Sequence, residues 1–206
     1  DHIINIENAL KDEQAVIFFP AGKVSRLHFG GIYDAGWQNG AIRFSAKTQA
    51  PILPVYIHGR NSMAFYAGSI IHRNIGMFML PQELFRKRNS CIKINIGDVI
   101  PCNTFKSNNL KIRSQAKLLQ KHTMKLGQNK PGIFYTEKTI IHPINKKLIK
   151  LELNQSQLLG NTVDGMKIYL AEYGVAPNII KEIGRLRELT FRKVGEGTGK
   201  TIDMDI

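Results

Sequence analysis

Val16-Ile17-Phe18-Phe19-Pro20-Ala21-Gly22-Lys23-Val24-Ser25-Arg26 is the stretch on which the reading of this chain turns. Four consecutive apolar residues, too few for a typical helix, predict a buried β-strand over 16–19. Pro20 and Gly22 then end the strand and turn the backbone. Immediately after the turn stand Lys23, Ser25 and Arg26, two cations flanking a hydroxyl. A strand that hands over to a glycine turn with cationic donors suits a small anionic head group. A strand–helix turn that is basic without binding anything fits the same residues equally well.

Composition narrows the class. The chain has 206 residues and a net charge of +13, with a pI near 9.8, which implies an anionic partner: nucleic acid, an anionic membrane surface or phosphate-bearing substrates. Aromatic residues make up only 8%, and no recognised nucleic-acid motif occurs, so nucleic acid is not expected as a partner. Cys91 and Cys102 can form neither a disulfide framework nor a zinc site, and both are expected to be buried thiols in a reducing compartment. No uncharged apolar run is long enough to span a bilayer, and no signal peptide is expected. The chain opens at Asp1 rather than Met, from which a fragment of something longer is expected.

Outward from 16–26, apolar residues at helical spacing (Ile3, Ile6, Leu10) predict a helix before the first strand. Leu27–Gly36, rich in glycine and aromatics, reads as a loop. A helix follows over about 41–48, with Ala41, Phe44 and Ala46 available for packing, and then a strand over Pro51–Ile57. Strand, helix and strand in alternation predict an α/β sheet with crossover connections. Residues 61–85 are the most apolar of the chain, from Met63 through Phe65, Ile70, Ile71 and Phe78 to Leu80. They read either as a buried helical hairpin or as an interfacial element dipping into lipid beside Arg86-Lys87-Arg88. A strand is expected over Cys91–Ile96. A basic amphipathic helix is expected over Leu110–Leu126, with Arg113, Lys117, Lys121 and Lys125 on one face. That charged face is either simply solvated or set against anionic lipid.

The stretch Trp37-Gln-Asn-Gly-Ala-Ile-Arg-Phe-Ser-Ala-Lys-Thr-Gln-Ala-Pro-Ile-Leu-Pro-Val-Tyr-Ile-His-Gly-Arg60, together with 16–26, resembles the lysophospholipid acyltransferase superfamily. The third block of that superfamily reads Phe-Pro-Glu-Gly-Thr-Arg-Ser-Arg, and its fourth is a proline-punctuated strand, matched here by Pro51-Ile52-Leu53-Pro54-Val55. Phe-Pro-Ala-Gly is a familiar form in its hemolysin-labelled branch, which includes bifunctional ornithine-lipid synthases. Gly59-Arg60-Asn61-Ser62, Leu80-Pro81-Gln82-Glu83-Leu84 and Ile94-Asn95-Ile96-Gly97 add to the likeness, which runs to about residue 126. A second block, Leu158-Leu159-Gly160, Lys167-Ile168-Tyr169-Leu170 and Glu182–Leu189 with Val194–Lys200, resembles the opening of the N-acyltransferase half of those bifunctional enzymes, which is similar to the GNAT fold.

The resemblance implies a partial glycerolphosphate-acyltransferase-like α/β domain over 1–127, a linker over 128–147 and the opening of a GNAT-like α/β domain over 148–206. It implies transfer of a fatty acyl group from an acyl-carrier-protein or coenzyme A thioester to the hydroxyl of a lysophospholipid or lyso-ornithine lipid. The place implied is the cytoplasmic face of the inner membrane, on an anionic surface. The alternative is a basic nucleic-acid-binding or non-catalytic membrane-binding module.

By that resemblance the third block contacts the acceptor head group. Phe19, Pro20, Ala21, Gly22, Lys23, Ser25 and Arg26, with Pro54 of the fourth block, are the implied substrate-binding residues. Ala21 stands where most relatives carry Glu, and Lys23 and Val24 replace Thr and Arg, which weakens the case for glycerol phosphate and leaves an anion site. The family's catalytic His, followed five residues later by Asp, has no counterpart in place here. His2 and Glu7 have the spacing but sit too close to Phe19, and His28, His58, His72, His122 and His142 have no carboxylate at that spacing. No catalytic residue is therefore expected in this chain. Gly199-Lys200-Thr201 ends like a phosphate-binding loop, yet Val194 occupies the position of its first glycine and a helix over about 177–193 precedes it.

Overall fold

The structure is a computed structural model, and it describes residues 2–29, 31–106 and 110–204, without the side chains of His28, Arg73 and Asn74. The chain divides into two compact units, 1–136 and 137–206. The segment read as a linker, 128–147, is thereby shared between them.

In the first unit, α1 (His2–Lys11) leads into the 16–26 stretch, followed by β1 (Arg26–His28) and β2 (Gly31–Tyr33). Next come α2 (Gly40–Thr48), β3 (Val55–Ile57), α3 (Met63–Ile71), α4 (Arg73–Arg86) and β4 (Ile94–Ile96). The short α5 (Asn103–Lys106) and the long α6 (Ile112–Gly127) complete it. The second unit contains α7 (Lys146–Gln155), the hairpin β5 (Gln157–Asn161) and β6 (Lys167–Leu170), and α8 (Pro177–Lys193).

The fold is mixed α/β, as expected, but among the described residues the strands form three separate two-stranded antiparallel sheets, β1–β2, β3–β4 and β5–β6, not a sheet with parallel crossovers. The reason is visible between β3 and β4. A single crossover helix carries the chain to the far end of a strand, whereas α3 and α4 run out and back. They return it to the end it left, so β4 pairs antiparallel, Val55 opposite Ile96 and Ile57 opposite Ile94. The ladder is extended by reciprocal bonds between Ile52 and Ile100, 2.9 and 2.8 Å.

Two expectations fail at the start of the first unit. Residues 16–19 form no strand: burial alternates with period two, but no described strand lies alongside to pair with them, and Ile17 and Phe19 are exposed. Phe18 turns inward onto Phe44, ring centroids 5.5 Å apart. The supposed loop 27–36 instead holds the β1–β2 hairpin.

The core of this unit lies where α2, α5 and α6 meet: Ile42, Ile100, Phe105, Ala116, Leu119 and Phe134, with Trp37 and Ile52 packed against it. The 3.6-residue period of α6 puts Ala116, Leu119 and Thr123 inside and leaves Arg113, Lys117, Lys121 and Lys125 exposed. His122 is buried with them. Its Nδ1 accepts from the amides of Ile133 and Phe134 at 3.0 and 3.1 Å, and its ring stacks on Phe134. A Cβ at Gly132 would collide with that ring, so glycine is required there by close approach. Neither cysteine is buried: Cys91 lies exposed before β4 and Cys102 is half-buried, its thiol on Asn103 Oδ1, because both fall in polar connections rather than on an inward face.

The interior of the second unit is organised by carboxylates. Glu152 accepts from the amides of Asn178 and Ile179 at 3.1 and 2.9 Å, satisfying the first turn of α8 where the helix dipole favours negative charge. Glu188 is fully buried and accepts from Arg192 Nε (2.7 Å), Thr198 Oγ1 (2.7 Å) and the amides of Thr198 and Gly199 (3.0 and 2.9 Å). Burial alone would raise both carboxyls, yet these hydrogen bonds outweigh it and hold both below the ordinary carboxylate value.

Candidate functional site

The 16–26 stretch forms one wall of an open cavity of about 1510 Å³, and residues 49–57 form the other. Its surface is mostly apolar, with Phe18, Phe44, Ile52 and Tyr56 among the lining residues. Of the residues expected to bind substrate, Phe19, Pro20, Ala21, Gly22, Lys23, Ser25 and Pro54 all line this cavity. Gly22 has a φ of 58°, in the left-handed region, and a Cβ placed there would meet nothing within 4 Å. The glycine is demanded by backbone conformation, and it leaves open space beside the turn. The turn is held by Gly22 N on Phe19 O, 3.1 Å, and by Gln38 N on Pro20 O, 2.8 Å.

Arg26 does not join them. It begins β1 opposite Tyr33, and successive residues of a strand face opposite sides, so Arg26 faces away from the cavity that Ser25 lines. The same register sets Ser25 opposite Asp34. The Ser25 hydroxyl donates to Asp34 Oδ1, and Trp37 Nε1 donates to Asp34 Oδ2 at 3.4 Å. Asp34 therefore fixes the hydroxyl at the rim of the cavity. Sequence reasoning misses Asp34 because the composition of 27–36 is that of a loop, and only a hairpin register signals the pairing.

A second missed residue is Arg60. It lines the cavity just past the strand of the fourth block, where it joins Lys11 and Lys23 as the cations of a lining that also holds the carboxylates of Glu13 and Asp34. The signal is present in Gly59-Arg60-Asn61-Ser62, which as likeness alone gives Arg60 no role. Ser45, also in the lining, is buried in α2 with an Oγ that has no hydrogen-bond partner.

Among the described residues no histidine lines the cavity. Glu7 pairs with Lys47 at 2.6 Å rather than serving His2. His58 sets its ring edge-on to Tyr56, 4.8 Å away, and His122 is committed to two backbone amides. The amides of Thr198 and Gly199, which resemble a phosphate loop in sequence, are taken by the buried Glu188. Among the described residues no group of His, Cys, Asp and Glu could hold a metal, and no helix is long and apolar enough to cross a membrane.

The arrangement can bind an amphiphile: a long apolar trough with cations, one fixed hydroxyl and a glycine turn at its rim. Lyso-glycine lipid O-acyltransferase of Phocaeicola vulgatus is 32% identical over 106 residues, 48% of this chain and 38% of that protein. Its namesake from Bacteroides thetaiotaomicron is 32% identical over 106 residues, 48% of this chain and 39% of that protein. Glycine N(alpha)-acyltransferase of Phocaeicola vulgatus is 48% identical over 67 residues, 32% of this chain and 21% of that protein. The chain thus spans about a fifth to two fifths of the length of these relatives. No solved structure matches. The profile of the acyltransferase family matches residues 3–130, well over half of the chain, and the chain belongs to that family.

Proposed function

We propose that residues 1–136 contribute the acceptor site of an enzyme that moves a fatty acyl group from a thioester to the hydroxyl of a carboxylate-headed lysolipid. In that reaction the lipid hydroxyl oxygen attacks the thioester carbonyl, the C–S bond breaks, an ester forms, and the hydroxyl proton ends on the released thiol. The observation that carries the reading is the pairing of an apolar trough with Lys23 and Arg60 at its walls, in a third block whose usual Glu is replaced by Ala21. An acidic residue at that turn would add to Glu13 and Asp34 of the lining and repel a carboxylate head group, whereas Asp34 itself is held by Ser25 and Trp37. An N-acylated glycine presents a carboxylate and no amine, so two cations suit it, and a lyso-ornithine lipid shares that carboxylate. The named activity of the O-acyltransferase relatives supports a lipid of this kind.

The donor in this reading is an acyl-carrier-protein or coenzyme A thioester, and the proton acceptor comes from outside the described cavity lining. The work is done on an anionic membrane surface at the cytoplasmic face. Residues 137–206 belong in this proposal to an N-acyltransferase region. The 48% identity to glycine N(alpha)-acyltransferase over 67 residues is in keeping with an N-acyltransferase region somewhere in this chain.

The test is calorimetric titration of the purified chain with an N-acylglycine and with a lysophosphatidic acid of equal chain length. The N-acylglycine should bind more tightly, and Lys23→Ala and Arg60→Ala should each weaken it by about 10- to 150-fold, the worth of one charge-assisted hydrogen bond, with the double variant weaker still. Equal binding by the doubly substituted chain would remove the proposal's basis.

A further inference from the structure

We infer that the α3–α4 hairpin lies along the surface of an anionic bilayer with its exposed apolar side chains in one leaflet. The hairpin is well built: Ser62 caps α3 by accepting from Phe65 N at 3.2 Å, and its own amide and hydroxyl donate to Glu83 of α4 at 2.7 and 2.5 Å. The helices meet closely. A Cβ at Gly76 would collide with Ser69 Oγ, and one at Gly68 would lie 3.0 Å from Ile75. Phe65 and Tyr66 anchor α3 inward.

Much of the rest of the hairpin is turned out although it is apolar. Ile70 and Ile71 at the end of α3 and Phe78 in α4 are 64%, 77% and 85% exposed, and Met77, Leu84 and Phe85 are exposed with them. A helix that is apolar on all sides needs an apolar environment on all sides, and α3 has one only where it touches its neighbours.

Charge selects what covers this surface. From Arg60 to Lys93 the sequence holds six cationic residues (Arg60, Arg73, Arg86, Lys87, Arg88 and Lys93) and one acid, Glu83. That acid is buried and committed to Ser62, so the hairpin presents no exposed carboxylate. Arg73 opens α4 at the turn of the hairpin and Arg86 closes it, thirteen residues or roughly 20 Å apart at about 1.5 Å per residue. A hairpin standing upright with Arg86 among the phosphates would carry Arg73 past the half-thickness of a hydrocarbon core, about 15 Å. The hairpin therefore lies along the surface, both ends of α4 at the level of the phosphates, with Ile70, Ile71, Phe78, Leu84 and Phe85 reaching the acyl chains. Apolar insertion plus a basic collar is the two-signal arrangement that holds a protein on a membrane without spanning it. The inference rests on the lipid-substrate reading only for choosing a bilayer over another apolar partner.

The test uses binding, not turnover, so it fails independently of that reading. The 206-residue chain is floated with vesicles of phosphatidylcholine alone and with vesicles in which a third of the lipid is phosphatidylglycerol. It should bind the anionic vesicles, less so at high salt. Phe78→Ser with Leu84→Ser and Phe85→Ser should lower partitioning by roughly 100-fold or more, with helical circular dichroism unchanged. As a second reading, the indole introduced by Phe78→Trp should be quenched by lipids brominated on the acyl chain, while Trp37 of the unsubstituted chain is not. Unaltered partitioning of the triple variant, or an introduced indole that brominated lipid leaves unquenched, would overturn the inference. So would sedimentation showing that these residues hold two copies of the chain together instead.

Discussion

Glu83→Ala should loosen the α3–α4 hairpin at its base and leave the rest of the first unit in place. Glu83 is only 4% exposed, and one carboxylate receives the Ser62 amide at 2.7 Å, the Ser62 hydroxyl at 2.5 Å and Arg86 at 3.5 Å. Truncation leaves a buried amide without an acceptor, which costs about 1–3 kcal/mol. It also frees the Ser62 hydroxyl from the orientation in which it caps α3, and a lost cap costs about 1 kcal/mol. The Arg86 contact, more than half exposed on the arginine side, adds little. The expected loss is therefore about 2–4 kcal/mol, confined to residues 61–86. Hydrogen exchange with mass spectrometry reads it: peptides from α3 and α4 should exchange about 30- to 1000-fold faster, while those from α6 keep their protection. The Ser62 hydrogen bonds hold the Glu83 carboxyl below its ordinary value, against the opposing effect of burial. The native state thus binds that proton less readily than the unfolded chain. The clasp is fully present above the unfolded carboxylate pKa and is lost as pH falls through the native one. Unchanged exchange in Glu83→Ala, or loosening on raising the pH, would refute the reasoning.

Other outcomes follow from the same kind of argument. Glu188→Ala should loosen the 137–206 unit, since it leaves the amides of Thr198 and Gly199 without their acceptor, at about 1–3 kcal/mol each, while Arg192 keeps Lys200 O and Glu137; exchange at Thr198 and Gly199 checks it. Burial first, and then Lys125, lower the His122 pKa, so the stability it contributes is complete above its unfolded value and is lost as pH falls through the native one. Urea midpoints of the 1–136 unit should fall on that acid side, and a His122→Phe variant should lose the dependence. Ala21→Glu should shift acceptor preference from an N-(hydroxyacyl)glycine toward glycerol-phosphate lysolipids, read as the ratio of the two kcat/KM values. Arg26→Ala should leave that ratio within about 2-fold, because Arg26 lies on the face of β1 turned from the cavity.

Much of this is legible in the residues themselves. The long period of α6 and the proline at the start of α8 place both helices, because one buries a clean stripe and the other begins at a residue suited to a first turn. The cavity is legible in part: its lining holds the Phe-Pro-Ala-Gly-Lys turn and Pro54. What the sequence conceals is set by pairing. Residues 16–19 have the composition of a strand, but a strand exists only where a neighbour accepts its bonds. Leu27–Gly36 has the composition of a loop, yet the register of Arg26 with Tyr33 makes it a hairpin and brings Asp34 to Ser25. Arg26 is misplaced for the same reason, since which face a residue takes depends on where its strand begins. The hairpin 61–85 is legible as a hairpin, but whether its apolar face is covered is a property of the surrounding fold.

The central claim is that the Lys23–Arg60 cavity selects a carboxylate-headed lysolipid as acyl acceptor, and turnover by the full-length protein that contains this chain tests it most directly. Incubated with a fatty acyl thioester and an N-(hydroxyacyl)glycine, that protein should form the O-acyl ester, seen by mass spectrometry as one added acyl group, with one thiol released per ester. The Lys23→Ala, Arg60→Ala variant should lose at least about 10- to 150-fold in kcat/KM for this acceptor, the worth of one of its two charge-assisted hydrogen bonds, and much less for a lysophosphatidylglycerol. Ester formation at equal efficiency from both acceptors, or undiminished turnover in the double variant, would contradict the account.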